Sequence, residues 1–466
     1  MNAPAELRTL LPDGLFDAVQ SASGTTIEQV RPRGGGASRE GAELDLRWPD
    51  GRTKTAYLNY DVHRAGAGDD DAFLREAAII KSLSGQHKAA GVKVAPFIAA
   101  IPEKRALIGG FVGGESNFNK LETPEDRMAV AVDFMGQLAK LHKIDVAARP
   151  VEGMGPVYPI STLIEQRIDL LRRRNIGKDW DPLIQLSIDW LADNIPSDLP
   201  APVIVHGDAG PANFLYADGK VTILLDWELV HYGDPMADLA MLCLRMLFQP
   251  FVPLPSAFAA YEAAGGYRVD QARVRYWRLL FQTGFARASR FNDPSAPPPP
   301  NLGMNMVYST IHRRVLSEAL AETAGVALTS VALPDSPEGP RHLAYAIALA
   351  DIRDMIVPRL ADQQAAVKAK GLARLIKWWR NIERFEPGFQ EAERLEIEAA
   401  LGRSFATHED SWAAYCQAVQ YRSIDRETAI ALINAHVTRE AALMADAMGG
   451  LAKTGFAPVR GKSWQT

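Results

Sequence analysis

The chain has 466 residues, of which 47% are hydrophobic and 23% are charged, and its formal net charge at pH 7 is −5. This length predicts about three domains, and the hydrophobic content is typical of globular proteins with large cores. The negative balance gives no bulk electrostatic support for nucleic acid as a partner, and no segment has the ~18 uninterrupted apolar residues that a membrane-spanning helix needs.

Cysteine use and the N-terminal residues indicate where the protein works. Cys243 and Cys416 lie far apart and outside any Cys-x-x-Cys unit, which argues against a disulfide scaffold and a thiolate zinc site. Residues 1–20 have neither the basic start nor the continuous apolar run of a secretory signal. We therefore expect a cytoplasmic protein.

A short amphipathic helical segment (1–24) precedes three predicted strands. The strand-like runs are TTIEQV (25–30), AELDLRW (42–48) and TKTAYLNYDV (53–62). The loop RPRGGGASRE separates the first two, and Asp50-Gly51 is a turn signal between the second and third. Such a glycine-rich loop fits either a flexible turn or a phosphate-binding loop, because backbone N–H groups reach a phosphate only where no side chain intervenes.

The next segments alternate between helical and strand-like patterns. Residues 69–83 predict a helix with acidic residues at its positive N-terminal end and Glu76 in its middle. Residues 92–112 read as two strands around a turn, and apolar spacing predicts a helix from Pro124 to His142. We interpret His142 as a favourable charge at the end of that helix, outside any site.

Residues 203–226 carry the pattern with the clearest chemistry. Val203–Val205 form a β-branched run that stops at His206-Gly207-Asp208, and two further strand-like runs flank the hairpin signal Asp218-Gly219. This places Asp208 and Asn213 on one loop and Asp226 at the end of a hairpin. Phosphoryl transfer needs a carboxylate to orient and deprotonate the attacking hydroxyl, and oxygen ligands for Mg²⁺, so these three residues form a suitable set.

HGDxxxxN, followed by DWE and GDPxxDLA, resembles the aminoglycoside phosphotransferase and choline kinase-like family, whose members phosphorylate small-molecule hydroxyls. The likeness covers residues 1–330, strongly in 203–245. It implies an α+β, bilobal protein-kinase-like fold with an antiparallel sheet in the N-lobe and a mostly helical C-lobe. With an additional all-α C-terminal domain, the predicted domains are 1–110, 111–332 and 340–466.

The resemblance also implies a role for each matching residue. Asp208 would be the catalytic base, and Asn213 and Asp226 would bind Mg²⁺. The nucleotide, ATP or GTP, would contact the N-lobe positions Gly34, Gly35, Gly36, Ser38, Asn59 and Glu76. His206, Glu228, Asp234 and Asp238 would brace the catalytic loop.

Asn59 departs from the family, which usually has Lys or Arg at this strand position to bind the nucleotide phosphates. Lys54 is an odd number of residues away, so strand alternation places it on the opposite face. His63 and Arg64 follow the strand and are candidates to replace the missing cation. Three explanations stay open: a displaced cation, weak nucleotide binding, or a catalytically silent pseudokinase.

The region between Leu239 and Ser295 bears on the acceptor. It contains seven arginines and three acidic residues, interleaved with aromatic residues. Because like charges oppose association, this composition disfavours a polycationic aminoglycoside and favours a neutral, hydrophobic or anionic acceptor. The same residues also fit solvated helix faces and a packed aromatic core.

From Arg341 onward the pattern is helical. Leu372, Leu375, Ile376, Trp379 and Ile382 share one predicted apolar face, and Leu401-Gly402 is a helix-stop signal. We expect a packing, dimerisation or acceptor-shaping module, so homo-oligomerisation through this domain is one of its candidate roles.

The leading hypothesis is an ATP- and Mg²⁺-dependent kinase that phosphorylates a hydroxyl of a small molecule. The alternatives are a catalytically silent binding or regulatory protein and an antibiotic-inactivating phosphotransferase. The sequence does not identify the acceptor, the nucleotide base or the oligomeric state.

Overall fold

The computed structural model describes residues 5–34, 39–61, 70–286 and 299–459. The strands in these ranges are β1 Thr26–Arg33, β2 Glu40–Arg47, β3 Thr53–Tyr60, β4 Phe97–Ile101, β5 Ala106–Gly110, β6 Val203–Val205, β7 Phe214–Ala217, β8 Lys220–Leu224 and β9 His231–Gly233. The helices are α1 Ala5–Arg8, α2 Leu15–Ser23, α3 Asp70–Ser84, α4 Pro124–His142, α5 Ile160–Arg174, α6 Pro182–Asp193, α7 Pro235–Arg245, α8 Leu254–Ala263, α9 Gln271–Phe285, α10 Leu302–Ala324, α11 His342–Ala350, α12 Gln363–Leu401, α13 His408–Gln420 and α14 Arg426–Met448.

The N-terminal sheet has the strand order β1-β2-β3-β5-β4, and each neighbouring pair is antiparallel. Alternate residues of β2 and β3, such as Leu44 and Leu58, are fully buried in one core with Leu15, Phe16 and Val19 of α2. The amphipathic lead-in therefore covers one face of the sheet. The predicted N-lobe sheet is confirmed.

The register of β2 and β3 locates Asn59. The two strands pair without a break, and Asn59 lies opposite Gly41. Lys54 belongs to the same alternating set as the buried Leu58 and is exposed at the end of the sheet, whereas Asn59 lies on the other face. Lys54 therefore does not replace a cation at position 59.

Two short strand pairs frame the HGDxxxxN segment. β6 pairs with β9, and β7 pairs with β8 through the Asp218-Gly219 turn. Both turn residues have positive φ, 50° and 72°, which is the backbone of the type I′ hairpin turn that Asp-Gly favours. The predicted hairpin is confirmed.

The described chain forms two compact units. Unit 1 comprises 1–160, 198–274 and 457–466, and contains the sheet and the HGDxxxxN segment. Unit 2 comprises 161–197 and 275–456, so residues 275–332 cluster with the C-terminal helices. The predicted domain boundaries at residue 110 and at residues 332–340 stay predictions. None of the helices that the structure describes has the length and apolar character needed to cross a bilayer.

Helices α10, α12 and α14 pack together in unit 2. On the predicted apolar face of α12, Leu375 is buried, but Leu372 and Trp379 remain about half exposed. The helix ends where the stop signal predicted, since Gly402 has a φ of 66° and donates its N–H to Glu398 O.

A charged cluster lies inside unit 2. His436 Nδ1 is 2.9 Å from Glu393 Oε1, and its ring stacks on Trp412 with centroids 4.0 Å apart. Burial alone would lower the pKa of His436, but Glu440 and Glu393 raise it to about 9. The protonated imidazole is therefore the favoured form in the folded protein at neutral pH.

We expect the free energy of unfolding to fall as pH rises from 6.5 through about 9. A raised folded-state pKa contributes stability that is complete below the unfolded pKa and is lost as the proton leaves. The loss should be about 2–3 kcal/mol, measured by urea titrations at fixed pH followed by circular dichroism. His436→Gln should show a smaller loss over the same interval, and equal losses in both proteins would contradict the assignment.

Candidate active site

The candidate catalytic loop, residues 206–213, contains near its start a glycine that the fold requires. Gly207, directly after β6 and His206, has a φ of +86°, and a Cβ there would lie 2.1 Å from Leu229 O. No side chain fits at that distance. The close approach of the two backbones fixes the path of the chain into Asp208.

Asp208 and Asn213 are held together. Asn213 Nδ2 donates to Asp208 O at 2.8 Å and to Asp208 Oδ2 at 2.7 Å. Asn213 is buried, whereas the side chain of Asp208 keeps 18% of its exposure. The predicted base is thus anchored but accessible.

Asp226 lies beside this pair. The N–H of Leu225 donates to Asn213 O at 2.8 Å. The β7–β8 hairpin therefore brings the residue before Asp226 into contact with Asn213. Asp226 has a φ of +63°, a left-handed conformation that is strained for a non-glycine residue. Such strain is concentrated at functional sites, where the surrounding structure holds the residue in place.

The electrostatics of Asp226 favour a cation. Burial raises the pKa of Asp226, and the negative charges of Glu228 and Asp208 raise it further, although Arg39 opposes them. Burial and the two neighbouring carboxylates penalise the ionised form of Asp226, and a bound cation would relieve that penalty.

Asn213 and Asp226 are the residues that could hold Mg²⁺. Among the residues that the structure describes, no group of three or more His, Cys, Asp or Glu is placed to hold a metal ion. Mg²⁺ at phosphate sites is commonly held by one or two protein oxygens, with water and substrate phosphates completing the shell. Asp226 and Asn213 would supply these two oxygens, and Asn213 Oδ1, which accepts from Arg245 Nη2 in this structure, would exchange that contact for the metal.

His206 joins the loop to the hairpin. Its Nε2 donates to Leu225 O at 2.9 Å, and its Nδ1 accepts from Asp208 N at 3.3 Å. Burial lowers the pKa of His206, despite the nearby carboxylates. A neutral ring with one donor and one acceptor satisfies both contacts.

Asp238 of α7 holds the start of the loop through two backbone hydrogen bonds. Its carboxylate accepts from His206 N and Gly207 N, both at 2.8 Å. Burial alone would raise the pKa of Asp238, but these donors and His142 lower it. The buried carboxylate is therefore charged and hydrogen-bonded.

His142 lies in the last turn of α4, as expected, and it also contacts a residue predicted to brace the site. His142 is completely buried, donates from Nε2 to Asp238 Oδ2 at 3.0 Å, and lies 2.7 Å from the Tyr261 hydroxyl through Nδ1. His142 therefore orients the Asp238 carboxylate, which in turn accepts from the backbone of His206 and Gly207 at the start of the loop. Its spacing of four residues from Leu138, on the buried face of α4, was the signal in the sequence.

Asp234 and Glu228 have different environments. Asp234 is buried and caps α7, since Oδ1 accepts from Met236 N at 2.9 Å, while Oδ2 is 2.8 Å from Arg273 Nε. Glu228 keeps 37% of its side-chain exposure beside Asp226. The cap fixes the start of the helix that carries Asp238.

Arg245, in the last turn of α7, was not predicted as a site residue. Its Nη1 lies 2.7 Å from Asp208 Oδ2, and its Nη2 donates to Asn213 Oδ1 at 3.1 Å. Its Nε donates to Pro211 O at 3.1 Å. One guanidinium therefore connects the predicted base, a predicted metal ligand and the loop backbone.

Three of the four other arginines of the acceptor region that the structure describes are paired within the protein. Arg273 pairs with Asp234, while Arg275 and Arg278 both pair with Glu322. Arg287 and Arg290 lie outside the described residues. Of the paired arginines, Arg245 is the one that reaches the candidate site.

The N-lobe candidates are only partly described. Gly34 follows β1, whereas Gly35, Gly36 and Ser38 lie outside the described residues, as do His63 and Arg64. Glu76 is buried on α3, where its carboxylate pairs with Arg39. The roles of these residues in nucleotide binding stay predictions.

Residues 60–277 match the model of the phosphotransferase enzyme family. A crystal structure of a putative aminoglycoside phosphotransferase from Ralstonia eutropha JMP134 aligns with a TM-score of 0.51 and 19% sequence identity, covering 66% of this chain and 98% of that chain. At this level of identity the likeness shows the fold alone.

Two curated relatives match over shorter regions. Acyl-CoA dehydrogenase family member 10 of Mus musculus is 26% identical over 201 residues, 40% of this chain and 18% of that protein. Acyl-CoA dehydrogenase family member 11 of Homo sapiens is 29% identical over 150 residues, 31% of this chain and 18% of that protein. The chain therefore matches less than a fifth of the length of these relatives. Residues 60–277 are therefore similar to the phosphotransferase enzyme family, and the shared fold confirms the predicted kinase-like α+β fold.

Proposed function

We propose that the protein is an ATP- and Mg²⁺-dependent phosphotransferase that acts on a hydroxyl of a small metabolite. The observation that carries the proposal is the contact of Asn213 Nδ2 with Asp208 Oδ2, next to the backbone bond that brings Asp226 to the same place. Phosphoryl transfer needs an accessible carboxylate to orient the acceptor hydroxyl and oxygen ligands to hold Mg²⁺ beside it.

Asp208 acts as the base in this proposal. Asn213 and Arg245 both engage Oδ2, so Oδ1 is assigned to take the proton of the acceptor hydroxyl. The acceptor oxygen forms a bond to the γ-phosphorus, and the bond from that phosphorus to the β,γ-bridging oxygen breaks. ADP leaves with the electron pair, and the product is a phosphate monoester.

The metal site in this proposal consists of Asn213 and Asp226. Bound Mg²⁺ would neutralise charge on the phosphate oxygens. Asn213 Nδ2 meanwhile keeps the carboxylate of Asp208 in place, and His206 keeps the loop against the hairpin. The protein positions the reacting groups and stabilises the charge of the transition state electrostatically. These two effects supply most of the rate enhancement in this class of reaction.

We propose a neutral, hydrophobic or anionic acceptor. Arg245 pairs with Asp208 at 2.7 Å and neutralises its negative charge, so the base offers little electrostatic attraction to a polycationic ligand. The names of the two curated relatives refer to acyl-CoA, so hydroxylated acyl thioesters and hydroxy acids come first among the acceptors to test.

A ³¹P NMR screen with ATP and Mg²⁺ tests the proposal. The panel contains hydroxyacyl-CoA esters, free hydroxy acids, aromatic alcohols, one aminoglycoside and one macrolide. A new phosphate monoester signal with an equal amount of ADP is the expected result for at least one of the first three classes. Phosphorylation of the antibiotics alone would instead establish the antibiotic-inactivating alternative.

Asn59 supports a second candidate, a catalytically silent binding or regulatory protein. Calorimetry with ATP, with and without Mg²⁺, separates the two candidates. Magnesium-dependent binding is expected for the phosphotransferase, and its absence would favour the silent protein.

A further inference from the structure

A cation lies next to the end of the β2–β3 pair that contains Asn59. Asn59 of β3 faces Gly41 of β2, and Arg39 precedes Gly41 by two residues. Since side chains alternate between the faces of an extended strand, the paired residues Gly41 and Asn59 share one face. The face is opposite to the core that α2 covers. Arg39 lies directly before the first residue of β2.

Arg39 is held by the acidic residue of α3. Its Nη1 donates to Glu76 Oε1 at 2.9 Å, and its Nη2 lies 2.7 Å from Glu76 Oε2. The side chains are 12% and 4% exposed, so this is a buried ion pair. Burial alone would lower the pKa of Arg39, but Glu76 raises it above its usual value, which keeps the guanidinium charged.

The same guanidinium reaches the segment that carries the proposed metal ligand. Arg39 Nη2 is 3.9 Å from Glu228 Oε2, and Asp226 adds to the negative potential at Arg39. Helix α3 packs directly against the turn at Trp227–Leu229. A guanidinium has five N–H donors in one plane, so contact with Glu76 is compatible with donation to a second anion.

We propose that Arg39 binds the phosphates of the nucleotide, in place of the strand cation that Asn59 lacks. A kinase needs one cation that is paired with a helix Glu and bonded to the α- and β-phosphates. Arg39 meets the first condition and lies next to the residues proposed to hold the metal. This inference rests on the proposed function, and it identifies the displaced cation as Arg39, the residue directly before β2.

Calorimetry of AMP-PNP, ADP and adenosine in the presence of Mg²⁺ tests the inference. Arg39→Ala should weaken AMP-PNP and ADP about 10- to 100-fold, the loss expected for charge-assisted hydrogen bonds, and leave adenosine affinity unchanged. Adding Asn59→Lys to Arg39→Ala should recover part of the loss. Arg39→Gln, which keeps a hydrogen bond to Glu76 without the charge, is the second variant if the alanine protein does not fold.

Arg31→Ala is the matched control. Arg31 is a cation of the same sheet, but it pairs with Asp45 at 2.7 Å, away from Glu76. Its removal should leave all three affinities unchanged. Equal AMP-PNP affinity in wild-type and Arg39 variants would overturn the inference and leave the proposed function standing. An equal loss for adenosine would show a structural role and overturn it too. If the wild-type protein binds neither AMP-PNP nor ADP, the proposed function fails and the inference fails with it.

Discussion

Asp208→Asn is expected to lower turnover about 10²–10⁴-fold, the range for loss of a general base, and to leave AMP-PNP affinity unchanged. The substitution keeps the size of the side chain, and an amide oxygen at the position of Oδ2 still accepts from Asn213 and Arg245. The loop therefore keeps its packing while the group that takes the proton is lost. Turnover is measured as ADP release with the acceptor that the NMR screen identifies.

Asp218→Asn is the matched control for this variant. Asp218 is the first turn residue of the β7–β8 hairpin, with a φ of 50°, and Asn is as well suited as Asp to that position. The same chemical change in the same segment should therefore leave turnover near the wild-type value. An Asp208→Asn protein with full turnover would remove Asp208 from the chemistry, whatever its effect on binding.

Short sequence patterns predicted those contacts of the candidate site that join residues close together in the sequence. Asp218-Gly219 specifies its own hairpin because both residues tolerate positive φ. The hairpin then brings Asp226 back to Asn213, and the short loop after β6 leaves Asp208 next to Asn213. Spacing along the chain was sufficient for this geometry.

The supporting contacts depend on residues that are distant in sequence. Arg245 reaches Asp208 across 37 positions, His142 reaches Asp238 across 96, and Arg39 reaches Glu76 across 37. No local pattern encodes such pairs, because each arises from the packing of separate elements. Counting arginines in the acceptor region also missed that Arg273 and Arg278 are neutralised by buried or neighbouring carboxylates.

Gly207→Ala is expected to reduce turnover at least about 100-fold, since a displacement of ~1 Å at a catalytic group has an effect of that size. The Cβ would meet Leu229 O at 2.1 Å and its carbonyl carbon at 2.6 Å, both backbone atoms. Rotation of a side chain cannot relieve that contact, so the loop or the Trp227–Leu229 turn must move. Either movement shifts Asp208 relative to Asp226.

Gly265→Ala separates this clash from ordinary backbone strain. Gly265 also has a φ of +86°, but a Cβ there would meet nothing within 4 Å. Both variants suffer the cost of a left-handed alanine, about 1 kcal/mol, whereas only Gly207→Ala adds the steric overlap. Thermal unfolding should therefore show a small decrease for Gly265→Ala with normal turnover, and a larger decrease with lost turnover for Gly207→Ala. Equal behaviour of the two proteins would mean that the loop yields without cost, and that the contact with Leu229 does not position the base.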